Sequence, residues 1–196
     1  DFEKQKEVKV PLDGEIMVGL DVSDISSKGD KLFCNGHQIG KRTDDLYYVD
    51  LIDKKKFQLT KNDLQEWGAV LSKDEKWLAY TSEKDMEGSF AIYLNRFPEM
   101  NQEIRISSGG GEEPKWLPDG SGIYYRNGSQ WMKVKLSLNG QPEIGEPELF
   151  FEGDYLNVWG PSHDIFPNGK VLLLKGEKWI PPTEIDVIVN VLNSAL

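Results

Sequence analysis

Three residue types that together make a nucleophilic triad stand side by side at Ser162-His163-Asp164. Triad chemistry needs the imidazole to bond the hydroxyl on one side and the carboxylate on the other. Adjacent side chains of an extended strand point to opposite faces, so contiguity works against that geometry. Gly160-Pro161-Ser162-His163-Asp164 also lacks the closing glycine of a nucleophile elbow. Ser107-Ser108-Gly109-Gly110-Gly111 has the composition of a phosphate cradle, but Glu112, Glu113 and Pro114 follow it where a lysine and a helix N-terminus belong. Those glycines are read instead as a passage from one strand to the next. The two histidines fall in separate parts of the chain without a repeated carboxylate partner, and no D-x-D-x-D-G calcium loop occurs. The expectation is no catalytic residue, no metal and no cofactor. A single cysteine, Cys34, excludes an intrachain disulfide and a multi-cysteine zinc site. Its setting, KLFCNG, predicts a half-buried strand position.

The formal charge of −10 and the pI near 4.8 argue against a nucleic-acid partner, which needs clustered cations. The one dense basic run, Lys54-Lys55-Lys56, lies between two strand-like segments and reads as a solvated hairpin tip. No window approaches eighteen consecutive apolar residues, so no membrane insertion is expected. The opening DFEKQKEVKV has no apolar core of a signal peptide. Asn127-Gly128-Ser129 fits a glycosylation sequon but reads more simply as hairpin chemistry.

The elements that must position any chemistry come from a repeat. SSKGDKLFCNG, SKDEKWLAYTSE, LPDGSGIYYRNG and FPNGKVLLLKG align on turn anchors Gly29, Glu75, Gly120 and Gly169, spaced 46, 45 and 49 residues apart. An aliphatic stands three residues after each anchor: Leu32, Leu78, Ile123 and Leu172. Proline presets φ, Asp or Asn bonds back to the backbone, and glycine takes the positive φ of such a turn. A third strand follows in each unit (DLYYVDL, FAIYLNRF, SQWMKVKL, EIDVIVNV), and a fourth closes the first three (KKFQLT, EIRISSG, PELFFEG). Four antiparallel strands per unit of about 45 residues is the spacing of a β-propeller blade. The predicted fold is all-β: one propeller domain over residues 1–196, with four four-stranded antiparallel blades near 13–60, 61–108, 109–153 and 154–196. The fourth unit lacks a fourth strand, and Glu7–Leu12 is a spare strand that completes a blade. Three closures are expected: a self-closed ring, a homodimer exchanging that strand to complete a larger ring, or a fragment of a larger ring.

These residues resemble the WD40-like (PD40) repeats of the TolB type, whose blades carry Ser-Pro-Asp-Gly-x-x-Leu-x-Tyr. Pro118-Asp119-Gly120 with Ile123 and Tyr125, and Pro167-Asn168-Gly169 with Leu172, match it; Ser72-Lys73-Asp74-Glu75 with Leu78 and Tyr80 is a degenerate copy. The resemblance covers about 165 of 196 residues, and the repeated Gly-His and Trp-Asp dipeptides of true WD40 proteins do not mark the blades. It implies a propeller that presents loops to a protein or peptide partner, and a periplasmic or extracellular setting. The alternative is the propeller portion of a larger enzyme, a prolyl-oligopeptidase-like peptidase or a receptor kinase, that gates or senses ligand.

In a propeller the start of each inner strand borders the central channel, beside the loop joining the second and third strands. The candidate interaction surface is therefore Glu66, Trp67, Glu112, Glu113, Asn157 and Trp159, whose tryptophans and carboxylates suit a cationic or aromatic group. The long loop containing Lys178 and Trp179 is a second exposed candidate.

Overall fold

The four anchors do what their residue types predict. Gly29, Glu75, Gly120 and Gly169 all take left-handed backbone, at φ 70°, 59°, 73° and 81°. Each anchor N–H donates to the carbonyl three residues back, on Ser26, Ser72, Leu117 and Phe166, at 2.8 to 2.9 Å. In the first two turns a serine hydroxyl adds to the closure. Ser26 Oγ accepts from the Lys31 N–H at 3.0 Å, and Ser72 Oγ accepts from the Trp77 N–H at 2.9 Å. In the last two a proline follows the first turn residue and presets the bend instead.

In the computed structural model the described residues are 17–85, 89–158, 160–176 and 186–189. Sixteen strands run in chain order: β1 (Met17–Ile25), β2 (Lys31–Gln38), β3 (Asp45–Asp50), β4 (Lys55–Gln58), β5 (Glu66–Leu71), β6 (Trp77–Ser82), β7 (Ala91–Arg96), β8 (Ile104–Arg105), β9 (Glu112–Trp116), β10 (Gly122–Asn127), β11 (Gln130–Ser137), β12 (Glu143–Ile144), β13 (Glu148–Glu152), β14 (His163–Ile165), β15 (Val171–Lys175) and β16 (Asp186–Val189). They form antiparallel sheets β1-β2-β3-β4, β5-β6-β7-β8, β12-β11-β10-β9 with β13 also on β11, and β14-β15-β16. Consecutive strands pair by hairpins, so each sheet is one blade of the repeat. The predicted spare strand Glu7–Leu12 lies outside the described residues.

The third blade departs from the four-strand expectation. Its β11 is eight residues long, so two segments share the outer edge: β13 pairs Gln130 to Lys133, and β12 pairs Leu136 and Ser137. The fourth strand of the second blade shrinks to Ile104–Arg105.

Three cores sit between neighbouring blades. Phe33 and Leu46 of the first blade pack against Leu78, Tyr80 and Tyr93 of the second. Trp77, Ile92 and Leu94 meet Ile123, Tyr125 and Val134 of the third. Tyr124 and Trp131 meet Val171 and Leu173 of the fourth. Gly111 shows why the glycine run is there: a Cβ on it would stand 2.7 Å from the Tyr125 ring. Cys34, at the centre of β2, is more buried than predicted, at 4% exposure, and burial pushes its thiol up to about 11.

Candidate functional site at the channel mouth

The inner strands β1, β5 and β9 begin at one end of the channel, overlooked by the loops that join second to third strands. Their residues enclose a cavity of about 720 Å³, to which Trp67, Phe90, Glu112, Glu113, Asn157 and Val158 contribute. A second cavity of about 490 Å³, with Asp24, Lys115 and Asp164, lies toward the turn end.

Two bulges aim the mouth residues. The β5–β6 pairing slips between Trp67 and Val70, where Gly68 takes φ 67°. The β9–β10 pairing slips between Tyr124 and Arg126, near Glu113 at φ 55°. A bulge turns its strand and redirects the local side chains. Trp67 is half-buried and meets Phe90 edge to face, with centroids 6.0 Å apart. The Gly111 N–H donates to the Phe90 carbonyl at 2.9 Å, which ties the start of β9 to the loop that carries Phe90, and Glu112 lines the same cavity as the aromatic pair. The Glu112 side chain makes no hydrogen bond or ion pair with a described residue; burial, then the neighbouring Glu113 charge, raises its pKa against an opposing pull from Arg126.

Glu113 is the counterpart of Gly68 in the next blade, and a non-glycine residue in left-handed backbone is strained. The strain is offset by bonds across the blade boundary. The Ser162 N–H donates to Glu113 Oε2 at 2.7 Å, and the Ser162 hydroxyl lies 2.9 and 2.8 Å from the two carboxylate oxygens. His163 Nδ1 is 3.1 Å from Oε2 but off the hydrogen-bond axis, so this contact is Coulombic and acts when the ring is protonated. Burial pushes Glu113 up, but the His163 contact and the Ser162 bonds outweigh it and hold the carboxyl below its ordinary value. Arg126 completes the clasp: its guanidinium donates to the Gly128, Tyr155 and Leu156 carbonyls and to Ser162 Oγ, at 2.7 to 3.3 Å.

The contiguous Ser162-His163-Asp164 therefore forms no triad. Ser162 and His163 both face Glu113 and are buried, whereas Asp164 is exposed. No hydrogen bond joins the imidazole to the serine hydroxyl among the described residues, and that hydroxyl already donates to a carboxylate. Each histidine lies against a carboxylate, though not at a repeated position: His163 meets Glu113 on β9, and His37 Nδ1 lies 2.7 Å from Asp44 Oδ1 in the β2–β3 loop. Asp44 also accepts from Gln65 Nε2 at 3.0 Å, and the Gln65 N–H donates to Glu83 Oε1 at 2.9 Å. These mouth residues carry no local motif and were not expected from the sequence.

Of the predicted surface, Trp67, Glu112, Glu113 and Asn157 line the cavity together. Glu66 does not. It is 2% exposed, and its carboxylate accepts from the Ser82 hydroxyl at 3.3 Å, because strand alternation turns it away from the face its neighbour Trp67 presents. Trp159, Lys178 and Trp179 lie outside the described residues.

Solved structures with matching architecture include TolB from Acinetobacter baumannii, at 20% identity over 82% of this chain and 39% of that one, with a TM-score of 0.59. The fold is a TolB-like β-propeller. The putative TolB from Agrobacterium tumefaciens matches at 17% identity over 69% of this chain and 50% of its own, TM-score 0.53. An auxiliary nutrient binding protein from Bacteroides thetaiotaomicron matches at 10% identity over 78% and 41%, TM-score 0.52. This chain thus spans two fifths to one half of the TolB chains it matches, and its blades correspond to part of their length. No protein-family model matches the sequence, and no curated protein does.

Proposed function

We propose that this chain is a non-catalytic recognition module of the TolB-like type, built from PD40 repeats, which receives a segment of a protein partner at the channel mouth. The observation that carries the reading is the cavity of about 720 Å³. It opens where inner strands begin, with a half-buried aromatic pair on its wall and the Glu112 carboxylate, which has no hydrogen bond or ion pair among the described residues. Such concave sites with a few convergent polar groups are the usual places of recognition. Against catalysis stands the state of Ser162, buried and bonded to Glu113. The partial span of the matched TolB chains favours a second setting for the same module, as the propeller portion of a longer protein that gates or senses ligand.

A photo-crosslinking residue placed at exposed Asn157, on the mouth, tests the reading against one at Ile52, exposed on the hairpin at the opposite end. Crosslinks to a partner at position 157 and none at 52 support it; crosslinks at 52 alone, or at neither, overturn it. Ester and peptide substrates should turn over no faster than in buffer. Turnover abolished by Ser162→Ala would overturn the non-catalytic part.

A further inference from the structure

Resting on that reading, we propose that the wall formed by Trp67, Phe90 and Glu112 is an alkylammonium site, which takes a lysine-type side chain or a free primary amine. The cavity is acidic: its described lining carries five carboxylates (Asp21, Asp44, Glu83, Glu112 and Glu113) against two permanent cations, Arg42 and Lys115. Three of the five are already committed. Glu113 holds Ser162, Asp44 is shared by His37 and Gln65, and Glu83 accepts the Gln65 N–H. Of the two left, Asp21 is exposed, whereas Glu112 is half-buried and its side chain has no such duty among the described residues. A half-buried carboxylate without a partner gains from any cation that reaches it.

Among the described residues no cation forms an ion pair with Glu112. Arg126 lies across from Glu112 in the β9–β10 pairing and its charge pulls the Glu112 pKa down, yet its guanidinium is hydrogen-bonded to three backbone carbonyls and Ser162 Oγ and forms no ion pair with Glu112. The charge of Lys115 is felt at Asp24, toward the turn end. The aromatic partners are in place. Trp67 and Phe90 stand edge to face at 6.0 Å and 89°. The Gly111–Phe90 backbone bond and the approach of Pro114 to Gly68 (3.8 Å from a Cβ built there) lock the two walls together. An ammonium over an aromatic face with a carboxylate beside it gains from both, and its alkyl stem covers apolar ring.

The probes are N-acetyl-lysine-N-methylamide, n-butylammonium and the neutral N-acetyl-norleucine-N-methylamide. Binding is followed by the indole N–H resonance of Trp67, assigned by its loss in Trp67→Phe. The lysine probe should bind at least about tenfold more tightly than the neutral one, and Glu112→Gln should remove about that factor. Far-UV circular dichroism checks that the variant is folded. Binding of n-butylammonium as tight as the lysine probe marks a small amine as ligand; a clear preference for the lysine probe marks a peptide. Equal binding of the neutral probe, or full affinity in Glu112→Gln, overturns the proposal. N-acetyl-glutamate-N-methylamide binding in place of the lysine probe also overturns it, and leaves the channel-mouth reading standing. A partner crosslinked at 157 with no cation preference does the same, whereas amine binding without any crosslink keeps the site and removes the partner reading.

Discussion

Glu113 and Glu66 are buried to the same degree, at 3% and 2% exposure, at two different blade boundaries. Their electrostatics run in opposite directions. Glu113 has Ser162 and His163 pressed against it, and its carboxyl is held below the ordinary value. Glu66 sits among weaker donors with one carboxylate oxygen unpartnered, and burial raises it. Equal burial thus gives a stabilising ion in one place and a reluctant one in the other. The number and alignment of donors decide which, because desolvation is common to both. Glu113 secures this at the expense of left-handed backbone, and Glu66 does not.

Removing the clasp should have the largest effect. Glu113→Ala strands the buried Ser162 N–H and leaves the strained backbone, and should lower unfolding stability by about 3 kcal/mol in urea titrations. Glu113→Gly relieves the backbone strain and should recover about 1 kcal/mol of that loss, while remaining less stable than the wild type. A glycine variant as stable as the wild type would mean that the clasp carries no net energy.

The pH dependence sharpens the same contrast. A depressed pKa means that the stability from Glu113 is present above the unfolded value of 4.5 and is lost as pH falls through the lower folded value. A raised pKa means that stability linked to Glu66 is full below 4.5 and declines as pH rises through its folded value. Denaturation midpoints between about pH 3 and 7 should therefore fall less steeply toward acid in Glu113→Gln than in the wild type. In Glu66→Gln the decline toward neutral pH should shrink, with stability near pH 7 higher by about 1 kcal/mol. An unchanged or lower midpoint for Glu66→Gln would show that its ionised form is well satisfied.

The smallest effect belongs to Glu75, which shares left-handed backbone with Glu113 but pairs with one exposed lysine, Lys28, and one partly covered lysine, Lys31. Its carboxylate lies 3.1 Å from Lys28 Nζ and 3.3 Å from Lys31 Nζ. Glu75→Gly gives up pairs that are weak when partly exposed and relieves a backbone cost of similar size, so thermal unfolding should move by no more than about 0.5 kcal/mol. A large loss here would mean that the left-handed position, not the clasp, makes Glu113 sensitive.

The blades were legible because their signals are local. Gly29, Gly120 and Gly169 mark turns by chemistry that spans only a few residues, and even Glu75 was placed by its register. Trp67 and Glu112 line one cavity because inner strands start there, whereas Asn157 reaches it from the loop six residues ahead of β14. Glu66 was misplaced because a one-residue step on a strand reverses the face. The clasp was not readable at all. Glu113 and Ser162 are 49 residues apart, and the bulge that joins them lies at a position where the neighbouring blade has glycine. Gly128 was legible too: the hairpin chemistry of Asn127-Gly128-Ser129 is a two-residue turn between Asn127 and Gln130, with Gly128 at φ 64°.

Cys34 has a practical consequence. Its thiol is the chain's single one, it lies buried at the centre of the first blade, and its ionisation is suppressed by that burial. A thiol reagent in solution meets it only when the sheet around it opens, so the labelling rate is a clock for excursions of that blade alone. The indole of Trp131, fully buried between the third and fourth blades, is placed to report on the other end of the array. Read side by side, the two signals distinguish a propeller that comes apart blade by blade from one that melts as a unit.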